Sequence, residues 1–447
     1  MNDREITREL VDANSQEFSH SGRALVAEGI ISSGIDAAAR RHEAVSRMEP
    51  IFSNELNTMD ITNQKKSGRC WIFAGMNVMR YALAKKLKLR DADFELSQSY
   101  MMFWDKLEKA NYFLESVIDT AGEDKDGRTV MWLFSTLLGD GGQWDMLVSL
   151  IEKYGMVPKY AMRESFHSSN SARMNALLKR KLRRDGVILR AMHEKGRPDA
   201  EIRHEKAEMM GEFYRMLCSF LGEPPRSFDF AYRDGDGAFH RDEGITPLEF
   251  YHKYWGEGYL RRFVSVINAP TDDKPFGRTY TVKYLGNVVE GRKVTYLNLP
   301  TEELERMARA QINDGEPVWF GSDVGKYSDR EDGILDTGLF DYENALGAKL
   351  DMSKADMLDY GESCLTHAMM LVGCDVINGS AAKWKVENSW GPDVGKKGFF
   401  TMSAAWFGQY VCQVVVDKKY LTPEQLAALG MQPTELEPWD PIGSLAD

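Results

Sequence analysis

Cysteine is scarce, with five residues in a chain of 447. So few thiols exclude a disulfide-stapled scaffold and point to a reducing compartment. Metal-binding patterns are missing too. Neither a Cys-x-x-Cys pair nor a His-Glu-x-x-His run occurs, so neither a metal nor an organic cofactor is expected. No stretch approaches the roughly 20 apolar residues that a membrane-spanning helix needs. The first residues, Met1-Asn2-Asp3-Arg4-Glu5, are charged and lack the apolar segment of an export signal. The expectation is a cytoplasmic protein with no membrane association. An excess of positive charge is also lacking. Lysine and arginine number 56 against 68 acidic residues, for a net charge of −12, which disfavours general nucleic-acid binding. The hydrophobic fraction of 43% is ample for a large core, and the length suits two or three domains.

What the chain does have is a dense motif, Gln64-Lys65-Lys66-Ser67-Gly68-Arg69-Cys70-Trp71-Ile72-Phe73-Ala74. Cys70 stands at the predicted start of a helix, with Gln64 six positions before it. Far downstream come Thr366-His367-Ala368 and Glu387-Asn388-Ser389-Trp390-Gly391. A thiol is a weak nucleophile at neutral pH because only a few per cent of it is thiolate. A helix N-terminus and an imidazolium partner, His367, both favour the thiolate. Asn388 would hold the His367 ring in orientation, as the third member of a triad does. Gln64 would donate from its side-chain amide to an oxyanion, beside the Cys70 backbone N–H. His367 would protonate a leaving amine. Cysteine, histidine and asparagine in that order, with the upstream glutamine, form the set of a papain-like thiol peptidase. Trp390 is expected to shield the Asn388–His367 contact, a role compatible with plain core packing. Cys218, Cys364, Cys374 and Cys412 read as inert, small apolar residues, with a redox or regulatory role the alternative for Cys364, three residues before His367.

Residues 63–74, 366–373, 384–391, 410–419 and 438–447 together resemble the bacterial branch of the bleomycin hydrolase family, within the papain-like cysteine peptidases. The resemblance spans nearly the whole chain. It implies an α+β, two-lobed peptidase with a helical lobe, an antiparallel β lobe, a large helical insertion and a C-terminal arm. It implies an intracellular aminopeptidase acting on peptides, and a homohexameric ring. Some relatives have been linked to nucleic acid through a basic channel. The arm would lie in the cleft, where the terminal carboxylate pairs with the free amine of the substrate. Leu445, Ala446 and Asp447 would take that part here. The resemblance also places Gly141 and Gly142 along the edge that pairs with substrate backbone, since glycine permits close approach. An ordinary helix-to-helix turn is the alternative there.

The spacing of Cys70 and His367, 297 residues (367 − 70), exceeds the roughly 130 to 150 of simple papain-like enzymes. About 150 residues must therefore be inserted between the two halves. The expected organisation is an N-terminal arm over 1–60, a helical lobe over 61–150, a mainly helical insertion over 151–265, a β-rich lobe over 266–425 and an arm over 426–447. Helices are predicted over 70–87, 98–118, 129–138, 144–154, 171–192, 200–221 and 301–312, the last with Thr301 as N-cap. Trp71, Ala74, Val78 and Ala82 form one stripe of the first. Strands are predicted over 279–284, 293–297, 318–321, 368–373, 383–387, 399–402 and 411–416. The basic run Lys179-Arg180-Lys181-Leu182-Arg183-Arg184, beside Met174, Leu177, Leu178 and Leu182, reads as the polar face of an amphipathic helix. Pro433, Pro438 and Pro441 disfavour helix near the C-terminus and, with Trp439, favour a docked arm over a frayed tail. An endopeptidase, and a ring-shaped scaffold binding nucleic acid or peptide, are the alternatives to an aminopeptidase.

Overall fold

The computed structural model describes residues 4–89 and 92–445. The fold is α+β, as the sequence implied. Its centre is the helix Cys70–Leu87. No β-branched run interrupts that helix. Lys85 and Lys86 lie in its last turn, where cations complement the negative end of the macrodipole, and Lys88 closes it in the left-handed region at φ 50°. Every residue from Cys70 to Arg80 is buried. This corrects the expectation of a single apolar stripe, because packing surrounds the helix on all sides. Gly75 shows how tight the fit is: a Cβ there would stand 2.1 Å from Leu147 Cδ2.

One wall is helical, with Gln98–Asp119 and Trp144–Tyr154 packed on the Cys70 helix. The other is a twelve-stranded sheet. Its middle runs Phe263–Ile267, Val411–Asp417, Val318–Ser322, His367–Ile377, Ser380–Glu387, Phe399–Ser403, and these neighbours pair antiparallel. Alternation along the strands divides two cores. Trp319, Ala368, Met370 and Val415 face the Cys70 helix. Val318, Phe320, Met369, Leu371 and Val414 face the opposite side, under the helix Thr301–Asn313. That helix is capped by Pro300 without a side-chain bond, so Thr301 is its first residue and not its N-cap.

The inserted segment carries the long helices Ala172–Glu194 and Asp199–Leu221. It also carries a hairpin, Phe228–Arg233 with Phe239–Ile245, which the helical expectation missed. The basic run lies on the first of these helices. Met174, Leu178 and Leu182 are buried beneath it, while Leu177 is only partly covered. Lys181 is paired with Asp185 and Glu212, so part of the positive run is neutralised. At the N-terminus, the helices Arg8–His20 and Ala24–Ser33 bury no residue at all.

A buried polar cluster fastens the two walls together. Asn77 Nδ2 of the Cys70 helix donates to Glu387 Oε1 at 3.1 Å and to Thr62 Oγ1 at 3.0 Å. Arg80 Nη2 stands 3.7 Å from Glu387 Oε1 and donates to the Asp60 carbonyl at 3.0 Å. Burial pushes the Glu387 carboxyl up and the Arg80 guanidinium down, more strongly than each charge helps the other. Such a pair is costly to break and cheap to replace whole. Glu387→Ala should therefore lower stability in chemical denaturation by about 3–5 kcal/mol. The double change Arg80→Met with Glu387→Leu should recover most of that loss. Equal losses in both variants would refute the desolvation account.

Candidate active site

His367 opens its strand and pairs with Ser322 in the neighbouring strand. Asn388 directly follows the strand Ser380–Glu387. Adjacent antiparallel strands thus bring the two side chains together, with His367 Nε2 2.9 Å from Asn388 Oδ1. The Ser389 backbone N–H also donates to Asn388 Oδ1, at 2.7 Å. An amide oxygen only accepts, so Nε2 of the imidazole must carry the hydrogen. The neutral ring then presents an unprotonated Nδ1. Trp390 lies against His367 with ring centroids 4.7 Å apart.

Cys70 is fully buried and opens its helix without any capping side chain. The Ala368 backbone N–H points at its sulfur, at 3.4 Å. A helix N-terminus and a backbone donor both favour negative charge on sulfur. Among the described residues no disulfide forms. Ala368 is also the residue after His367, so the strand that brings the imidazole brings the donor with it.

Gln64 is held against the Asn388 segment. Its backbone N–H donates to the Ser389 carbonyl at 2.8 Å, and its Oε1 accepts from Ser389 Oγ at 2.8 Å. Its Nε2 donates to the Ser67 carbonyl at 2.7 Å, which uses one of its two hydrogens and leaves the other for a ligand. Arg69 braces this loop. It donates to Ser67 Oγ at 2.9 Å and makes a bidentate contact with Glu164, at 3.1 and 2.8 Å. Burial tends to raise the Glu164 carboxyl, but Arg69 and Ser168 hold it below the usual range. Arg69 and Glu387 were visible only as parts of their motifs, and Glu164, Asn77 and Arg80 were missed. A polar Asn77 and Arg80 inside an otherwise apolar helix were the available signal.

Gly141 and Gly142 sit on a turn clamped from below. Lys109 Nζ donates to the Gly141 carbonyl at 2.5 Å, and Lys106 Nζ to that of Gly139 at 2.7 Å. Asp140 receives Lys106, Asn175 and Ser171 on its carboxylate. Burial opposes its charge, yet Lys106 and the hydrogen bonds overcome that and hold the carboxyl far below its ordinary value. Trp71 Nε1 donates to the Asp140 carbonyl at 2.7 Å. A Cβ on Gly142 would stand 2.5 Å from the Trp71 ring. The glycine is thus required by a contact within the protein, whatever approaches from outside.

The C-terminal arm is docked. Thr434–Leu436 pairs in parallel with Arg278–Val282. Arg128 stacks on Trp439 at 3.8 Å, and Lys274 pairs with Asp440 at 3.0 Å. Ser444 then touches both walls. Its carbonyl accepts from Gln143 Nε2 at 2.7 Å, and its Oγ accepts from the Leu365 N–H at 3.0 Å. Gln143 follows Gly142, and Leu365 lies two residues before His367. A cavity of about 740 Å³ runs beside this stretch, lined by Lys109, Trp132, Gly141, Cys364, Trp439 and Leu445 among others. Ala446 and Asp447 lie outside the described residues.

Burial is the first cause that lowers the His367 pKa, to about 4; Asn388 opposes it, and the Arg330 charge adds to it. With Cys70 uncharged, the folded value of about 4 lies below the ordinary 6.5. The neutral ring then stabilises the fold fully above pH 6.5, and that contribution is lost as pH falls through about 4. A Cys70 thiolate would reverse this by pairing with the imidazolium, and the two groups titrate as a pair. NMR titration should therefore find His367 of Cys70→Ala protonating near pH 4, and the wild-type imidazole protonating at distinctly higher pH. Identical curves would show that no ion pair forms.

The model of the Peptidase C1-like family matches residues 5–443. The chain is 49% identical over 443 residues to aminopeptidase C of Listeria innocua, covering 99% of both chains. It is 45% identical over 440 residues to aminopeptidase C of Lactobacillus delbrueckii subsp. lactis, covering 98% of this chain and 97% of that one. The crystal structure of PepW from Lactobacillus rhamnosis superposes with a TM-score of 0.97 at 48% identity, over 99% of this chain and 100% of the other. With a match over nearly its full length, the chain belongs to the Peptidase C1-like family.

Proposed function

We propose that this protein is a cysteine aminopeptidase that releases N-terminal residues from peptides, and that Cys70 is its nucleophile. The observation that carries the reading is Ser444, bonded to Gln143 on one wall and to Leu365 beside His367 on the other. An arm fixed across the cleft three residues before the end leaves room for little substrate on that side. Cys70 sulfur attacks the carbonyl of the first peptide bond. The second Gln64 Nε2 hydrogen and the Cys70 N–H receive the oxyanion. His367, held by Asn388 through Nε2, carries the thiol proton on Nδ1 and gives it to the departing amine. A thioester remains, which water cleaves with His367 as base. Gly141 and Gly142 offer the backbone edge, and the carboxylates at Ala446–Asp447 receive the substrate's amine. Neither metal nor cofactor takes part in these steps.

The cysteine usage supports a cytoplasmic setting, where thiols stay reduced. Among the described residues no helix is long and apolar enough to cross a membrane. Assembly into a homohexamer fits the N-terminal segment, which exposes Ile6 ahead of its first helix and Leu25 and Ile31 on its second, at 82%, 82% and 77%. Apolar side chains this exposed are the kind that a partner covers. The Lys179–Arg184 run supports nucleic-acid binding only weakly, since Lys181 is already engaged.

Hydrolysis of an aminoacyl amide with a free amine, compared with its N-acetyl form, tests the reading. Wild type should cleave only the free amine. Cys70→Ala should lose about 10⁵–10⁶-fold while remaining folded. Deleting 444–447 should admit the acetylated substrate. Equal cleavage of both forms by wild type would instead establish an endopeptidase.

A further inference from the structure

Arg330 stands over the ring of Trp390, its guanidinium carbon 4.4 Å from the ring centre. Trp390 in turn rests against His367. A full positive charge is thus one aromatic ring away from the imidazole, and its field reaches it. Arg330 is exposed. Its carbonyl accepts from the Gly395 N–H at 2.8 Å, which ties it to the loop following Trp390.

Trp390 also forms a β-bridge with Asn63. Asn63 Oδ1 accepts from the Lys65 N–H at 2.9 Å, and Lys65 takes φ 55°, in the left-handed region. Lys65 and Lys66, both exposed, follow the bridged Asn63 by two and three residues, and the Lys66 backbone bridges to Asn170. Among the described residues no carboxylate forms an ion pair with Arg330, Lys65 or Lys66. Of the acids flanking Arg330 in sequence, Asp329 and Asp332 are taken up by Arg40, while the adjacent Glu331 is exposed and makes no ion pair with Arg330. Arg330 on the Trp390 face, with two exposed lysines just after the residue bridged to Trp390, stands out in a chain of net charge −12.

The position in the cleft gives these charges a use. Ser444 marks the end where the substrate's amine belongs, on the aminopeptidase reading. The released peptide must then leave in the other direction, past His367 and Trp390. We propose that Arg330, with Lys65 and Lys66, forms a carboxylate-binding rim for the leaving peptide. It favours substrates whose released part carries a negative charge close to the cleaved bond. That charge comes from the α-carboxylate of a dipeptide or from an acidic side chain of a longer peptide. The Trp390 face holds the guanidinium in place, so less ordering is lost when a carboxylate docks. The proposal rests on the aminopeptidase reading for its direction along the cleft.

Two substrate pairs test it. The first is Ala-Ala as free acid and as amide. The second is Ala-Asp-Ala amide and Ala-Asn-Ala amide. For each enzyme the kcat/KM ratio within a pair is the readout, so any general loss from altered Trp390 packing cancels. Arg330→Gln should lower at least one ratio by about fivefold, the size of one solvent-exposed charge pair. Arg330→Lys should restore part of it, and added salt should shrink it in wild type. A loss confined to the first pair assigns the α-carboxylate, and one confined to the second assigns the acidic side chain; either supports the rim. Ratios unchanged by Arg330→Gln would overturn it. The same pairs with acetylated amines are run alongside. Should wild type cleave these instead, the aminopeptidase reading falls, and the ratios still decide the rim.

Discussion

The Cys70 helix begins inside the protein, at the seam between a helical wall and a sheet. A helix start leaves backbone N–H groups without intrahelical partners, and water cannot reach them readily here. No side chain caps this end. Asp140, a carboxylate at this end, accepts the Gly68 N–H at 3.2 Å but is already matched by Lys106. The positive end of the helix is therefore left uncancelled where the sulfur sits. An anion placed there gains from a field that the surroundings do not offset. Thiolate and oxyanion are the two anions that the proposed chemistry would put in that place.

Charge balance around the cleft follows from the same constraint. Lys106, Lys109, Asp105 and Asp140 are all buried beneath the Gly139–Gly142 turn, and they are paired with one another. Two cations and two anions cancel, so the floor of the cleft adds little net field. What it adds is rigidity, because both lysines also hold carbonyls of the turn. The imidazole stands in contrast. It is buried with a neutral partner, Asn388, in place of a carboxylate. Asn388 fixes the tautomer without stabilising the imidazolium as an anion would. At neutral pH, protonation of His367 would need a deprotonated sulfur beside it, so on the proposed chemistry the two groups titrate as a pair.

Much of this was legible in the chain. The helix 70–87 and the helix 144–154 match the structure residue for residue, because each pairs strong local propensity with a clear break. His367 at a strand start and Asn388 just past a strand end followed from the pattern of apolar runs. The missed features share a physical cause. Glu387, Asn77 and Arg80 meet only through tertiary contact, 310 residues separating the first two. Arg69 and Glu164 are likewise 95 residues apart. Asn77 and Arg80 stand out as polar residues within an apolar helix, but nothing local names the partners of any of these residues. The hairpin at 228–245 is different. Phe228 and Phe230 alternate with exposed residues, a period of two that the neighbouring long helices obscured. For Gly142, the sequence pointed to close approach from outside, whereas its packing reason is the Trp71 ring beneath it.

On the aminopeptidase reading, the Ser444 contacts alone cannot account for strict selection of free amines. An N-blocked or longer substrate has to displace Ser444, breaking its bonds to Gln143 and Leu365. Each such bond is worth about 1 kcal/mol net, so displacement costs about a factor of 10 to 30. The Arg128–Trp439 stack, the Lys274–Asp440 pair and the pairing of Thr434–Leu436 lie upstream, and they survive such a displacement. They keep the arm close to the cleft, so it rebinds as an intramolecular ligand at high effective concentration. The remaining selectivity would then have to come from attraction for the amine itself, which the proposed carboxylate at the chain end would supply and a neutral blocked terminus could not use. An arm of this kind ranks substrates twice, by size through displacement and by charge through pairing. Shortening it affects both, whereas neutralising its carboxylate affects the second alone.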